Sequence, residues 1–251
     1  MSIPFRQALD DGRCCLFDGS TPTALYERGT HFNRSFDGEN LANPGVVKGV
    51  HEAFRAAGAQ VLTTNTWAAN RAKLSAYGLG EQLVQINRRG AELAREALAS
   101  TPGDGWVAGC IGPLGLRIEP WGPTSFDEAR TIFTEQAQAL LGGGVDLFVL
   151  EAFEDLNEIR QAIAAVKAVS DLPVVAMMTP GDGGCTLYGA EPEWYAQKLA
   201  EWGADILGAN GGGGPAQLLA LLKRFRAATS IPLILKPSAG LPRQVDGRVL
   251  Y

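Results

Sequence analysis

One hydrophobic pattern recurs along the chain: an amphipathic stretch, a turn with glycine or proline, and a short apolar run that ends on polar residues or glycine. The turns at residues 58–60, 143–146 and 203–205 lead into three such runs, and Pro173 and Pro232 precede two more. Within the amphipathic stretches, apolar residues recur every three or four positions, which predicts helices. Glycine at a helix end and proline at a strand entrance are typical of connections from helix to strand.

Seven apolar runs are predicted strands, and they lie near residues 14, 61, 106, 147, 173, 206 and 232. The runs are continuous rather than alternating, which is typical of parallel strands covered on both faces. Strict alternation of strand and helix at this length favours a (β/α)8 TIM barrel or a doubly wound sheet.

Polar or reactive residues end nearly every predicted strand, and these positions decide between the two folds. A ring of such residues at successive strand ends is typical of barrel enzymes, whereas a doubly wound sheet places its chemistry at one switch point. We therefore predict an α/β fold of the TIM-barrel type. The residues concerned are Asp18, residues 64–66, Cys110, Glu151, Thr179, Asn210, Lys236 and Ser238.

The last predicted strand lies near residue 232, and an eighth strand and helix would need roughly 40 more residues at this spacing. We therefore expect residues 1–251 to form a single barrel domain that lacks its eighth unit. In such a barrel the first and seventh strands have unpaired edges. We expect a partner chain, a further segment of chain or self-association to cover them.

Composition narrows the class of protein. Of the 251 residues, 46% are apolar and 20% are charged, as in a globular domain, and no apolar run reaches the roughly 18–20 residues of a membrane span. A net charge of −5 without a basic block predicts neither a nucleic-acid partner nor a membrane partner. Four irregularly spaced cysteines and the lack of a secretory signal predict a cytoplasmic protein with reduced thiols, whose partner is a small molecule.

Six motifs occur in an order that resembles the homocysteine S-methyltransferase family. They are Asp18-Gly19-Ser20, GAQVLTTNTWAAN at 58–70, CIGPLG at 110–115, GGVDLFVLEAFEDLNEIRQAI at 143–163, GADILGANGGGGP at 203–215 and KPSAGLP at 236–242. The resemblance is strongest to the homocysteine-binding barrel of cobalamin-dependent methionine synthases and weaker to betaine–homocysteine methyltransferases. It implies a methyltransferase that methylates the sulfur of homocysteine or a related thiol.

The resemblance also implies a zinc ion held by three cysteinates, which lowers the pKa of the substrate thiol. The chain departs from that pattern. Gly211 stands where the first cysteine ligand belongs, Ser238 replaces an asparagine of the motif after the seventh strand, and the motif with the other two cysteines is absent. The family therefore predicts zinc, this sequence predicts no zinc ligand, and no segment identifies the methyl donor.

Four residues are predicted to bind substrate because they match family positions: Asp18, Thr66, Glu151 and Asn210. The resemblance assigns Glu151 to the ammonium group of the amino acid, and two carboxylates at a barrel mouth suit a cation. It places Thr66 near the substrate. The alternative interpretation is structural: Asp18 caps a helix or stabilises its loop, and Asn210 orders the loop after its strand.

The remaining thiols and histidines have weaker claims. Cys110 and Cys185 are an alternative zinc pair, although isolated cysteines are usually small buried hydrophobes. Cys14 and Cys15 are adjacent, so at least one of them points away from the barrel interior. The two histidines, His31 and His51, form no ligand motif, and we expect His51 to be structural or on the surface.

Two other functions remain open. One is a non-catalytic relative that keeps the barrel as a binding module. The other is a barrel enzyme with a phosphate-bearing substrate at Gly211 to Gly214, where backbone amides would bind the phosphate and Lys236 would add charge.

Overall fold

A computed structural model of the chain describes residues 3–238, 243–245 and 248–250. Six strands form one parallel sheet in which each strand pairs with the next along the chain. They are β1 (Val61–Thr63), β2 (Trp106–Ile111), β3 (Leu147–Phe153), β4 (Val174–Met178), β5 (Ile206–Asn210) and β6 (Leu233–Lys236). The predicted α/β fold with parallel strands is confirmed, and this arrangement is consistent with part of a TIM barrel.

Helices connect the strands, as the amphipathic periodicity predicts. The helices before β1 are α1 (Phe5–Asp10), α2 (Thr21–Glu27), α3 (Glu39–Ala42) and α4 (Pro44–Ala56). Those that follow are α5 (Arg71–Ser75), α6 (Leu83–Ala99), α7 (Phe126–Gly142), α8 (Leu156–Val169), α9 (Pro192–Glu201) and α10 (Pro215–Ala228). Helices α6 to α10 each lie between consecutive strands, so the sheet is built from strand–helix–strand units.

The first predicted strand, near residue 14, is wrong in extent. The structure has a single parallel bridge there, between Phe17 and Val61. The backbone amide of Asp18 donates to the carbonyl of Val61 at 3.0 Å, and Ser20 then caps α2, so the chain leaves the sheet almost at once. Residues 14–18 thus take the place of a first strand beside β1 but are too briefly extended to form one.

A second departure lies near the end of the chain, after the last predicted strand. There β7 (Arg243–Val245) and β8 (Arg248–Leu250) pair as a separate antiparallel sheet. The predicted lack of an eighth unit is not tested by the described residues.

The parallel sheet has two buried faces. One face packs against α6 to α10 through residues such as Leu62, Phe148 and Leu207. Side chains on the other face, including Val149 and Met177, pack against one another and against α1. Successive side chains of a strand point to opposite faces, so strands that are apolar on both faces need cover on both.

Helix α1 closes the amino-terminal end of the sheet. Phe5 lies edge-to-face against Trp106, the first residue of β2, with ring centroids 5.4 Å apart. The Trp106 indole donates to the carbonyl of Ile3 at 2.8 Å, and Arg6 pairs with Asp205 just before β5 at 2.9 Å. The amino-terminal end is therefore covered, and the carboxyl ends of the strands face the open side.

The repeated glycine-containing turns also bind strands together at the covered end. The carboxylate of Asp146, in the turn before β3, accepts the amide of Val107 in β2 at 2.7 Å. Asp205, in the turn before β5, does the same for Val174 of β4 at 2.9 Å. Each turn therefore bonds to the strand that precedes it along the chain. Within the described residues no helix is long and apolar enough to cross a membrane.

Candidate functional site

A cavity of about 840 Å³ lies at the carboxyl ends of the strands. Ligand sites of α/β barrels lie at this end, where the loops after the strands converge. All four residues predicted to bind substrate line the cavity: Asp18, Thr66, Glu151 and Asn210. Cys110, Lys236 and Ser238, which the sequence analysis places at strand ends, line it as well.

Glu151 and Lys236 form a partly buried ion pair at this cavity. The Nζ atom of Lys236 lies 3.0 Å from Oε2 of Glu151, and the two side chains are only 15% and 17% exposed. Burial alone would lower the pKa of Lys236, but the negative charges of Glu151 and Asp18 outweigh it and raise that pKa. Lys236 is therefore a permanent cation inside the cavity.

The pair also shows that the sheet is curled. Glu151 lies on β3 and Lys236 on β6, with β4 and β5 between them. In a flat sheet, three strand spacings would separate their backbones by about 14 Å. Side chains on a curled inner face converge instead, and this brings the carboxylate and the ammonium into contact.

Asp18 is fixed to the end of β1 by two hydrogen bonds from one residue. Its Oδ2 accepts the Thr63 amide at 2.7 Å, and its Oδ1 accepts the Thr63 hydroxyl at 2.6 Å. Burial raises the pKa of Asp18 to about 6, although the charge of Lys236 and the Thr63 hydrogen bonds oppose the rise. These bonds support the interpretation that Asp18 stabilises its loop, while the helix cap is Ser20.

The hydroxyl of Thr66 is already engaged by the protein. It donates to the carbonyl of Cys110 at 2.7 Å and lies 2.6 Å from the hydroxyl of Thr64. Thr64 in turn accepts the Cys110 amide at 2.9 Å. Thr66 therefore forms part of the cavity wall and joins the loop after β1 to the end of β2.

Asn210 holds the backbone beside Glu151 in an unusual conformation. Its Oδ1 accepts the amide of Ala152 at 3.0 Å, and Ala152 has a φ of 66°, which costs energy for a residue other than glycine. The register between β3 and β4 shifts at this point. The Trp67 indole also donates to the Glu151 carbonyl at 3.0 Å. Asn210 and Trp67 thus determine where the Glu151 carboxylate lies.

The sequence analysis missed the contacts that Lys236, Cys110 and Trp67 make with Glu151. It placed Lys236 and Cys110 at strand ends and connected them with a phosphate and with zinc, but not with Glu151. No local signal in the sequence marks the contact between Lys236 and Glu151, because their strands are separated by β4 and β5. Trp67 lies in a loop, where no periodicity marks its contact either.

The thiols do not form a zinc site. Cys15 and Cys110 line the cavity, and burial raises the pKa of both, that of Cys110 well above its usual value with a further contribution from Glu151. Cys14 is exposed, and Cys185 is outside the set of residues that line the cavity.

Gly211, which stands where the family has its first cysteine ligand, also offers no thiolate to a zinc ion. Gly211 has a φ of 62°, and a Cβ atom added there would lie 3.6 Å from Thr179, so the space for a side chain exists but the backbone disfavours one. Among the described residues, no three histidine, cysteine or acidic side chains are grouped to hold a metal ion. The residues present therefore do not fit the zinc ion that the family implies.

Lys236, which would add charge to a phosphate site at the glycine run, pairs with Glu151 through one of its N–H groups. Two of the run's four amides are also engaged: Gly211 donates to the Lys236 carbonyl at 3.3 Å and Gly214 to the Gln217 side chain at 2.9 Å.

His51 lies away from the cavity and is fully buried on α4, which agrees with a structural role.

Comparisons with known proteins address the family. A family model described as homocysteine S-methyltransferase matches residues 15–251. The methionine synthases of Mycobacterium tuberculosis and Mycobacterium leprae are each 29% identical over 211 residues, which is 81% of this chain. Those residues make up 18% and 17% of the two synthases, so the chain spans less than a fifth of their length.

Solved structures of the homocysteine methyltransferase MmuM from Escherichia coli have the same fold. Its metallated form has a TM-score of 0.84 and 27% identity over 95% of this chain and 88% of that one. Its apo form has a TM-score of 0.77 and 26% identity, with 95% and 86% covered. The family predicted from the six motifs is confirmed: the chain belongs to the homocysteine S-methyltransferase family.

Proposed function

We propose that this chain binds homocysteine, or a closely related thiol amino acid, and transfers a methyl group to its sulfur. The observation that carries the proposal is the pair of carboxylates on one cavity in a member of this family: Asp18, which is buried, and Glu151, which is partly buried. Lys236 uses only Oε2 of Glu151, and no donor to Oε1 is found among the described residues. That oxygen is available to the ammonium group of an amino acid.

In this proposal the protein positions the nucleophile. Charge-assisted hydrogen bonds from the substrate ammonium to Glu151 hold the amino-acid end, and Asp18 adds a second negative charge. The sulfur then attacks the methyl carbon of the donor, the electron pair of the bond from that carbon to its former carrier goes to the carrier, and the thiol proton passes to water. Holding the thiol in line with the methyl group lowers the entropic part of the activation free energy of methyl transfer.

Calorimetry of homocysteine binding tests the ammonium site. Replacing one charged hydrogen-bond partner costs about 1.5–3 kcal/mol, so we expect Glu151→Gln to weaken binding roughly 10- to 100-fold. Glu128→Gln, on the exposed side of α7, is the matched control and should bind as the wild type does. Equal affinity of Glu151→Gln and wild type, or no binding to wild type, would overturn the proposal.

A second candidate is the binding module, and one observation favours it: within the part of the chain that the structure describes, no metal-binding group lies at the cavity. An unactivated thiol is a weak nucleophile. Methionine formation from homocysteine, assayed with sulfonium, betaine and methylcobalamin donors, separates the two functions. Methionine from any donor supports the enzyme, and tight homocysteine binding without methionine from all three supports the binding module.

A further inference from the structure

We propose that Lys236 determines substrate specificity by binding the carboxylate of the amino acid, with Asn210 as a second donor. This inference rests on the proposed function, because it assigns the other end of the same substrate. It does not involve the sulfur or the methyl donor, so it can be tested by binding alone.

The ammonium group of Lys236 has more N–H donors than the described residues use. A lysine ammonium has three N–H groups, and Glu151 accepts from one of them at 3.0 Å. No second acceptor for Nζ occurs among the residues that the structure describes, although the side chain is only 15% exposed. A ligand carboxylate that enters the cavity can therefore accept charge-assisted hydrogen bonds from the remaining N–H groups of this ammonium.

Asn210 supplies a further donor beside Lys236. The two residues are register partners on β5 and β6, so their side chains emerge from the same face of the sheet. Because Oδ1 of Asn210 accepts the Ala152 amide, Nδ2 is left as the donating atom of the amide group. Within the described residues Nδ2 has no acceptor, and Asn210 lines the cavity.

The charges of the cavity complement a zwitterion. Asp18 and Glu151 face an ammonium, and Lys236 with Asn210 faces a carboxylate. An amine without the carboxylate leaves Lys236 with Glu151 as its single acceptor, and a mercapto acid without the amine places an anion beside two carboxylates. We therefore infer a preference for a complete α-amino acid over either analogue.

Calorimetry with two ligands and two proteins tests the inference. We expect wild type to bind homocysteine roughly 10- to 100-fold more tightly than its decarboxylated analogue, which keeps the amine and the thiol. Lys236→Met should lose this preference: its affinity for homocysteine falls by the same factor, and its affinity for the decarboxylated analogue changes less than about twofold. Lys236→Arg, which keeps the charge, should restore part of the preference.

Controls separate recognition from folding. Lys48→Met removes a surface lysine that pairs with Glu52 on α4 and should leave both affinities unchanged. Because Lys236→Met leaves Glu151 buried without its partner, the double variant Lys236→Met/Glu151→Gln provides a neutral pair, and it too should bind both ligands equally. The comparison of the two ligands on wild type needs no variant at all.

Two outcomes overturn the inference without touching the proposed function. One is wild type that binds homocysteine and its decarboxylated analogue equally well. The other is Lys236→Met that loses the same factor for both ligands, since Lys236 would then act only by orienting Glu151. Failure of wild type to bind homocysteine would instead overturn the proposed function itself.

Discussion

His51 is fully buried on α4, and neither of its ring nitrogens has a hydrogen-bond partner among the residues that the structure describes. Burial lowers its pKa to about 4, below the usual value of 6.5. The unfolded chain therefore takes up a proton at a higher pH than the folded chain does. The stability that depends on neutral His51 is complete above about pH 6.5 and is lost as the pH falls towards 4.

We expect His51→Leu to remove this dependence. The two and a half pH units between the folded and unfolded values correspond to about 3 kcal/mol, which wild type should lose relative to the variant between pH 7 and pH 4. Denaturant titrations at several pH values measure the difference. Subtracting the two curves cancels the buried carboxyls of Asp37 and Glu158, whose pKa values are raised by burial and whose effect has the opposite sign. Parallel curves would contradict the prediction, and exposed His31→Leu is the control.

Gly211 gives a second prediction. A cysteine fits the space beside Thr179, but the left-handed backbone at a φ of 62° costs a non-glycine residue about 1–2 kcal/mol. Zinc needs about four ligands, and one added cysteine cannot supply them. We therefore expect Gly211→Cys to lower the melting temperature as Gly211→Ala does, and to retain no zinc after dialysis. Stoichiometric zinc in Gly211→Cys would mean that Cys110 or Cys185 is a ligand after all.

Among the secondary-structure elements, the sequence patterns predicted the long helices well, but they overestimated the strand near residue 14 and missed β7 and β8. The helices α4, α7, α8 and α9 contain several turns, so their apolar periodicity is unambiguous. Residues 14–18 were apolar enough to suggest a strand, yet they lie at an edge and turn away after one bridge. Strands β7 and β8 contain no continuous apolar run of the kind that predicted β1, which is equally short.

Helix α1 gives a prediction at this scale. Phe5 is 3% exposed and contacts the rings of Trp106 and Phe17. Its removal leaves a cavity under the sheet, so we expect Phe5→Ala to lower the free energy of unfolding by about 3–5 kcal/mol. Homocysteine affinity of the folded protein should persist, because α1 lies at the end opposite the cavity. Phe32→Ala, at a site 71% exposed, is the control; an equal loss there would contradict the prediction.

For the whole molecule, the sequence predicted which residues meet at the cavity but not how they pair. Strand ends brought Asp18, Glu151 and Asn210 to one place, since parallel strands end at one edge. The contact between Glu151 and Lys236 depends on the curl of a sheet across two intervening strands, and this curl leaves no local signal in the sequence. The bulge at Ala152 likewise depends on Asn210, 58 residues away.

The last prediction concerns the two edges of the parallel sheet. Within the described residues β6 pairs only with β5, and the other edge of the sheet is extended only by the bridge at Phe17. Unpaired edges of parallel strands attract further strands. We therefore expect this 251-residue chain to self-associate or to bind a partner in sedimentation experiments at low concentration. A sharp peak at 26.6 kDa with cooperative melting would contradict this.

The turn aspartates have a consequence for how the sheet assembles. Asp146 and Asp205 each form two hydrogen bonds with the preceding strand of the sequence. The backbone amide of each aspartate donates to a carbonyl of that strand, and its carboxylate accepts an amide of the same strand. A strand is therefore held in register by the turn that follows it, and a shift of the strand leaves a partly buried aspartate without its amide donor. These hydrogen bonds therefore favour the correct alignment of β2 and of β4 as the sheet assembles. They lie at the amino-terminal end of the strands, opposite the cavity.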